Sequence, residues 1–156
     1  MPDHARPLNS RGQQAVAAMR VALGHLGVCP GLLLVSTARR TRETASALEP
    51  WPVPPRVEAT DTLYLASAAT LLGALQELPD DTESVMMVAH NPGLHELALS
   101  LIGEQLTPAN SDMRRISEGY PSGALAEFAV PGSWAGLRDG GARLVRFICP
   151  RDLPVA

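Results

Sequence analysis

Two short, unbroken apolar runs constrain this chain more than any other feature: Leu32-Leu33-Leu34-Val35 and Val85-Met86-Met87-Val88-Ala89. Runs of this length without polar alternation are expected of strands buried on both faces, the signature of parallel sheets covered by helices. Each run is followed by a helix-like stretch. The segment from Ala38 to before Pro50 should form one, capped by Ser36 or Thr37, and Asn91-Pro92-Gly93 should open another that ends near Gly103. An earlier helix is expected over Gln13 to Leu26, capped by Asn9 or Ser10 and closed by Gly27. A further helix is expected from Ala68 to Leu78, capped by Ser67, after a short extended piece at Leu63-Tyr64-Leu65. Thr107 to Ser122 reads as a long surface loop, and Ala124 to Val130 and Arg143 to Cys149 as two neighbouring final strands. Strands alternating with helices imply a three-layer α/β/α fold with a mostly parallel sheet, and 156 residues suit one domain.

All 13 basic residues are arginine, because the chain has no lysine. A Walker A lysine, a pyridoxal Schiff base and a kinase-type strand lysine are thereby excluded. Any phosphate chemistry falls to arginine and histidine. The net charge of −3 argues against a nucleic-acid partner, which needs a broad basic surface. No apolar run approaches the roughly 20 residues that cross a bilayer, and no signal-peptide core follows Met1, so a cytoplasmic location with no membrane partner is expected. Cys29 and Cys149 stand far apart, form no Cys-x-x-Cys pair, and are expected to be buried free thiols. Neither opens a Cys-x5-Arg loop.

Ligands of open α/β sheets bind at the carboxyl ends of strands, where helix N-termini present free N–H groups. Two junctions here carry suitable side chains. Arg40 follows the first apolar run and His90 the second. If the two strands are parallel, both residues lie along one edge that would favour phosphate. The bland alternative is a solvated arginine and a capping histidine.

Five segments in order resemble the branch-one histidine phosphatases, of phosphoglycerate mutase-like fold, and among them the SixA group. They are Asp3-His4-Ala5-Arg6-Pro7-Leu8-Asn9-Ser10-Arg11-Gly12, Ser36 to Ala45, Leu63-Tyr64-Leu65-Ala66-Ser67, Met87-Val88-Ala89-His90-Asn91-Pro92-Gly93, and Tyr120-Pro121-Ser122-Gly123-Ala124-Leu125. The likeness implies a phosphohistidine phosphatase with Arg40 and His90 as catalytic residues and Arg6 and Ser122 binding substrate. No metal is expected, because His90 and His95 stand five apart with no His-Glu-x-x-His pattern, and no cofactor is expected either. The partner would be a phosphorylated protein of the histidine-phosphotransfer type, or a small phosphate ester. Asp61 and Glu58 are the acids weighed, with surface charge the simpler role for each. His25 and His95 are expected to be solvated or capping.

Members of that family also carry a first strand ending in Arg-His-Gly or Arg-His-Ala, which holds the nucleophilic histidine. No Arg-His pair occurs in these 156 residues, and His4 belongs to the segment beyond that motif. The resemblance therefore implies a functional protein longer by about one strand and one loop, encoded from a start upstream of Met1. Two other readings stay open: a binding module that has lost catalysis, and a small-molecule phosphomonoesterase.

Overall fold

A computed structural model describes residues 1–156, which divide into two compact units. The first comprises Met1–Tyr64, Thr82–Ala89 and Pro150–Ala156; the second comprises Leu65–Asp81 and His90–Cys149.

In the first unit, helix α1 (Ser10–Leu26) starts three residues before the expected Gln13. Asn9 sets that start by accepting the Gly12 N–H at 2.8 Å, and Gly27 ends the helix in the left-handed region at φ 70°. The strands are β1 (Leu32–Ser36), β2 (Arg56–Thr60) and β3 (Val85–Val88), paired in parallel in the order β2-β1-β3. The central strand β1 is buried along its whole length, as its composition requires. Helix α2 (Arg39–Ala47) packs on β1 and β3, and Leu33, Val35 and Ala45 form a core cluster with Met86 and Val88 against it.

Several expectations fail here for physical reasons. The strand β2 was not foreseen, because Arg56 and Glu58 alternate with Val57 and Ala59 and leave it exposed except at Thr60. Leu63 closes a 3-10 turn, Asp61–Leu63, instead of an extended piece. Neither Ser36 nor Thr37 caps α2. Its N-cap is Ala38, whose N–H donates to Ser36 Oγ at 3.3 Å, while the Thr37 hydroxyl is taken by Asp61. Cys29 is exposed, its thiol directed to the Val53 carbonyl at 3.4 Å, whereas Cys149 is buried as expected.

Although β3 has the sequence of a fully buried strand, its residues are only half-buried, because β3 ends the sheet. The other end strand, β2, carries an Arg56–Glu58 ion pair at 3.0 Å and follows Pro54-Pro55. Charges and prolines of this kind discourage further pairing, and β3 has neither.

The second unit contains α3 (Ala68–Gln76), α4 (Gly93–Ile102), α5 (Ser111–Glu118) and an antiparallel pair, β4 (Leu125–Ala129) with β5 (Arg143–Ile148). Ser67 caps α3 through the Thr70 N–H, as its position implied. Helix α5 replaces the middle half of the expected loop at Thr107 to Ser122. Asn110 caps it, and Met113 and Ile116, three apart on one face, anchor it in a cluster with Ala98, Ile102, Leu144 and Phe147. Both units together give a mixed α/β fold with a parallel sheet flanked by helices.

Candidate functional site

At the carboxyl end of β1 the chain passes through Thr37 and Ala38 into α2, which places Arg40 in the first helical turn. Its side chain is 16% exposed, and the guanidinium reaches back across 37 residues of sequence to Asp3. Nη1 donates to the Asp3 carbonyl at 2.9 Å and Nη2 to Asp3 Oδ2 at 3.2 Å. Arg6 donates from Nη2 to the other carboxylate oxygen, Oδ1, at 3.2 Å. The two arginines singled out from the sequence therefore converge on one anionic centre.

The turn that carries Asp3 is fastened to α2 by a second route. The Leu8 N–H donates to Glu43 Oε1 at 2.8 Å, and Arg39 Nε donates to Oε2 of the same glutamate at 3.1 Å. These bonds hold the Glu43 carboxyl below its ordinary value, the Leu8 amide having the largest effect.

Tyr64 and His4 complete the cluster, and sequence reasoning gave neither a role. The Tyr64 hydroxyl donates to Asp3 Oδ2, and the His4 ring meets Tyr64 edge-on at 4.9 Å between centroids. His4 Nε2 lies 2.9 Å from the Thr37 hydroxyl, which in turn donates to Asp61. Asp61 thus accepts from its own chain, and Glu58 pairs with Arg56 on β2. The signal for Asp3 and Tyr64 was present, since both sit in segments that carry the family resemblance.

The bond from Tyr64, together with those from Arg6 and Arg40, lowers the Asp3 carboxyl from 3.8 to about 2, and the same bond raises Tyr64 above its ordinary value. A carboxyl depressed by folding stabilises the native state above its unfolded pKa, and that contribution fades as pH falls through the folded one. Between about pH 4 and pH 2 the native chain is expected to lose more stability than Asp3→Asn, measured as the shift of the urea midpoint. Parallel acid-loss curves for the two proteins would contradict this.

His90 and Ser122 belong to the second unit. His90 is buried, 7% exposed, and its carbonyl accepts the Leu94 N–H at 3.0 Å in the turn that starts α4. Asn91 locks that turn. Its Nδ2 donates to the Tyr120 carbonyl at 2.8 Å and its Oδ1 accepts the His95 N–H at 3.2 Å. Gly93 lets the helix start pass close to the Ala66 carbonyl, with room for no side chain. His95 is structural: its Nε2 lies 2.6 Å from the Ile116 carbonyl, tying α4 to α5. Tyr120 packs against the rings of His95 and Phe147, and burial pushes its hydroxyl up to about 12. Ser122 is exposed in the tight turn Pro121–Ala124, where Gly123 adopts φ 80°. His25 is exposed on α1.

The first unit also holds an open groove of about 460 Å³ against β1 and β2, lined by Leu33, Val35, Trp51 and Val57 with Arg42 at its wall. None of Asp3, Arg6 and Arg40 lines it.

No protein-family profile matches the chain. The uncharacterized protein ML1117 of Mycobacterium leprae is 33% identical over 154 residues, covering 96% of this chain and 89% of its own length. Rv1276c of Mycobacterium tuberculosis is 31% identical over 149 residues, covering 96% and 92%. Among solved structures, a candidate phosphohistidine phosphatase SixA from Nakamurella multipartitia superposes with a TM-score of 0.83 at 26% identity, over 96% of this chain and 88% of that one. A second candidate SixA, from Agrobacterium tumefaciens, gives 0.76 at 28% identity, over 96% and 87%. The chain belongs to the same family as these mycobacterial proteins, and its fold is that of the SixA-like histidine phosphatases. Within this SixA-like fold the mixed α/β core is as the apolar runs implied, and no helix is long and apolar enough to cross a membrane.

Proposed function

We propose that the protein is a phosphohistidine phosphatase of the SixA type, acting on a phosphorylated signalling protein. Arg40 and Arg6 would take the non-bridging oxygens of the phosphoryl group, with His90 and Ser122 as further contacts. The convergence of both guanidinium groups on the Asp3 carboxylate carries this reading, because planar donors arranged around one anion suit a phosphoryl group equally well. Catalysis would be largely electrostatic, neutralising charge on phosphorus oxygens during in-line transfer. A nucleophilic imidazole would attack phosphorus and hold the phosphoryl group until water clears it, while the departing substrate imidazole takes up a proton. We assign that nucleophile to a further strand paired with β3, which ends the sheet and whose own residues are all apolar, with no charge to block pairing.

The test is binding of a histidine-phosphotransfer domain with and without its phosphoryl group. Phosphorylation is expected to tighten binding, and Arg40→Ala and His90→Ala are each expected to weaken it at least about 10-fold, the order of one charge-assisted contact. Binding indifferent to phosphorylation, or intact in Arg40→Ala, would overturn the assignment. Small aryl phosphates, run alongside, distinguish a phosphoprotein substrate from a small ester.

A further inference from the structure

Both arginines of the proposed site already hold an anion, and that anion is internal. Asp3 accepts from Arg6 through Oδ1 at 3.2 Å, from Arg40 through Oδ2 at 3.2 Å, and from Tyr64 through Oδ2. We infer that Asp3 is a built-in competitor that sets which anions this site accepts: its carboxylate occupies the arginines until a phosphoryl dianion displaces it, and monoanionic carboxylates cannot. This rests on the reading of Arg40 as a phosphate ligand.

Three observations support the exchange. The Asp3 side chain is 46% exposed and the Arg40 side chain 16%, so the carboxylate is the partner free to swing into solvent. When it does, Arg40 Nη1 keeps its bond to the Asp3 backbone carbonyl at 2.9 Å, and the guanidinium stays aimed at the vacated position. The bonds from Tyr64, Arg6 and Arg40 hold the carboxyl well below its ordinary range, so it stays an anion at neutral pH and competes as one. An incoming carboxylate gains nothing over the one it replaces. A phosphoryl dianion brings a second negative charge and a third acceptor oxygen to the same two guanidinium groups, where oppositely charged partners about 4 Å apart attract measurably even near solvent.

Asp3→Asn keeps the shape and one acceptor oxygen while removing the charge. The full chain and this variant are titrated with inorganic phosphate at pH 8, where it is a dianion, and separately with acetate, at one fixed ionic strength. Asp3→Asn is expected to bind phosphate roughly 10-fold tighter than the native chain and to gain acetate binding that the native chain lacks. Circular dichroism checks that it folds. If it does not, Tyr64→Phe, which removes one donor to Oδ2, replaces it and is expected to tighten phosphate about 2-fold to 3-fold. Unchanged or weaker phosphate binding in the folded variant, with Arg40→Ala still abolishing binding, overturns the competitor role and leaves the proposed function standing. Phosphate binding that survives Arg40→Ala, or is absent throughout, overturns both.

Discussion

Alanine at position 93 is expected to lower the melting temperature by about 10 °C. A Cβ built there would lie 2.1 Å from the Ala66 carbonyl oxygen, 3.2 Å from its carbon and 3.3 Å from Leu71 Cδ1. The first two atoms are backbone and cannot rotate away, so α4 or the Ala66 segment must shift. Overpacking of this kind costs about 3 kcal/mol, and each kcal/mol corresponds to roughly 2 to 4 °C in a domain of this size. The control is Gly73→Ala, in the middle of α3 with no atom near the added methyl, where removing backbone freedom from the unfolded chain is expected to raise stability by about 0.5 to 1 kcal/mol. A scanning calorimetry trace for Gly93→Ala within about 2 °C of native would show that the close approach is not there. The turn that positions His90 depends on it.

A larger functional effect is expected from adding a strand. Fusing a Leu-x-Arg-His-Gly segment and a short loop ahead of Met1 is expected to raise phosphohistidine turnover at least ~10³-fold over the 156-residue chain, the scale on which removing a nucleophile acts in other enzymes. The expectation follows from the assignment of the nucleophile to the edge of β3, where pairing would satisfy N–H and C=O groups on Val85–Val88. The same fusion with asparagine in place of its histidine supplies the strand without the imidazole, and is expected to fold equally well without the gain in rate. Equal turnover by both fusions would place the chemistry elsewhere.

How much of this was legible in the sequence depended on how local the cause was. β1 and β3 announced themselves because Leu32–Val35 and Val85–Val88 are continuous apolar runs, and the ends of α1 and α3 because Gly27 and Ser67 act on their own neighbours. β2 stayed hidden because an end strand exposed on both faces needs no hydrophobic pattern. α5 stayed hidden because only Met113 and Ile116 bury against the core within eight otherwise polar residues. Arg40 and His90 could be located from the ends of their strands and from the family resemblance. The tie between Asp3 and Arg40 could not, because it closes a loop of 37 residues through one carboxylate and leaves no periodic trace. Half-burial of β3 was equally invisible, since composition reports a strand's apolarity and not its place in the sheet.

The unequal placement of the two thiols gives the molecule its own gauge of opening. Cys29 faces solvent and Cys149 is 1% exposed at the end of β5. A thiol-specific reagent therefore modifies one sulfur in the intact molecule and reaches the second only when the helix–hairpin unit around Cys149 breathes. The rate of that slow second modification measures how often the unit unlocks, with no engineered label.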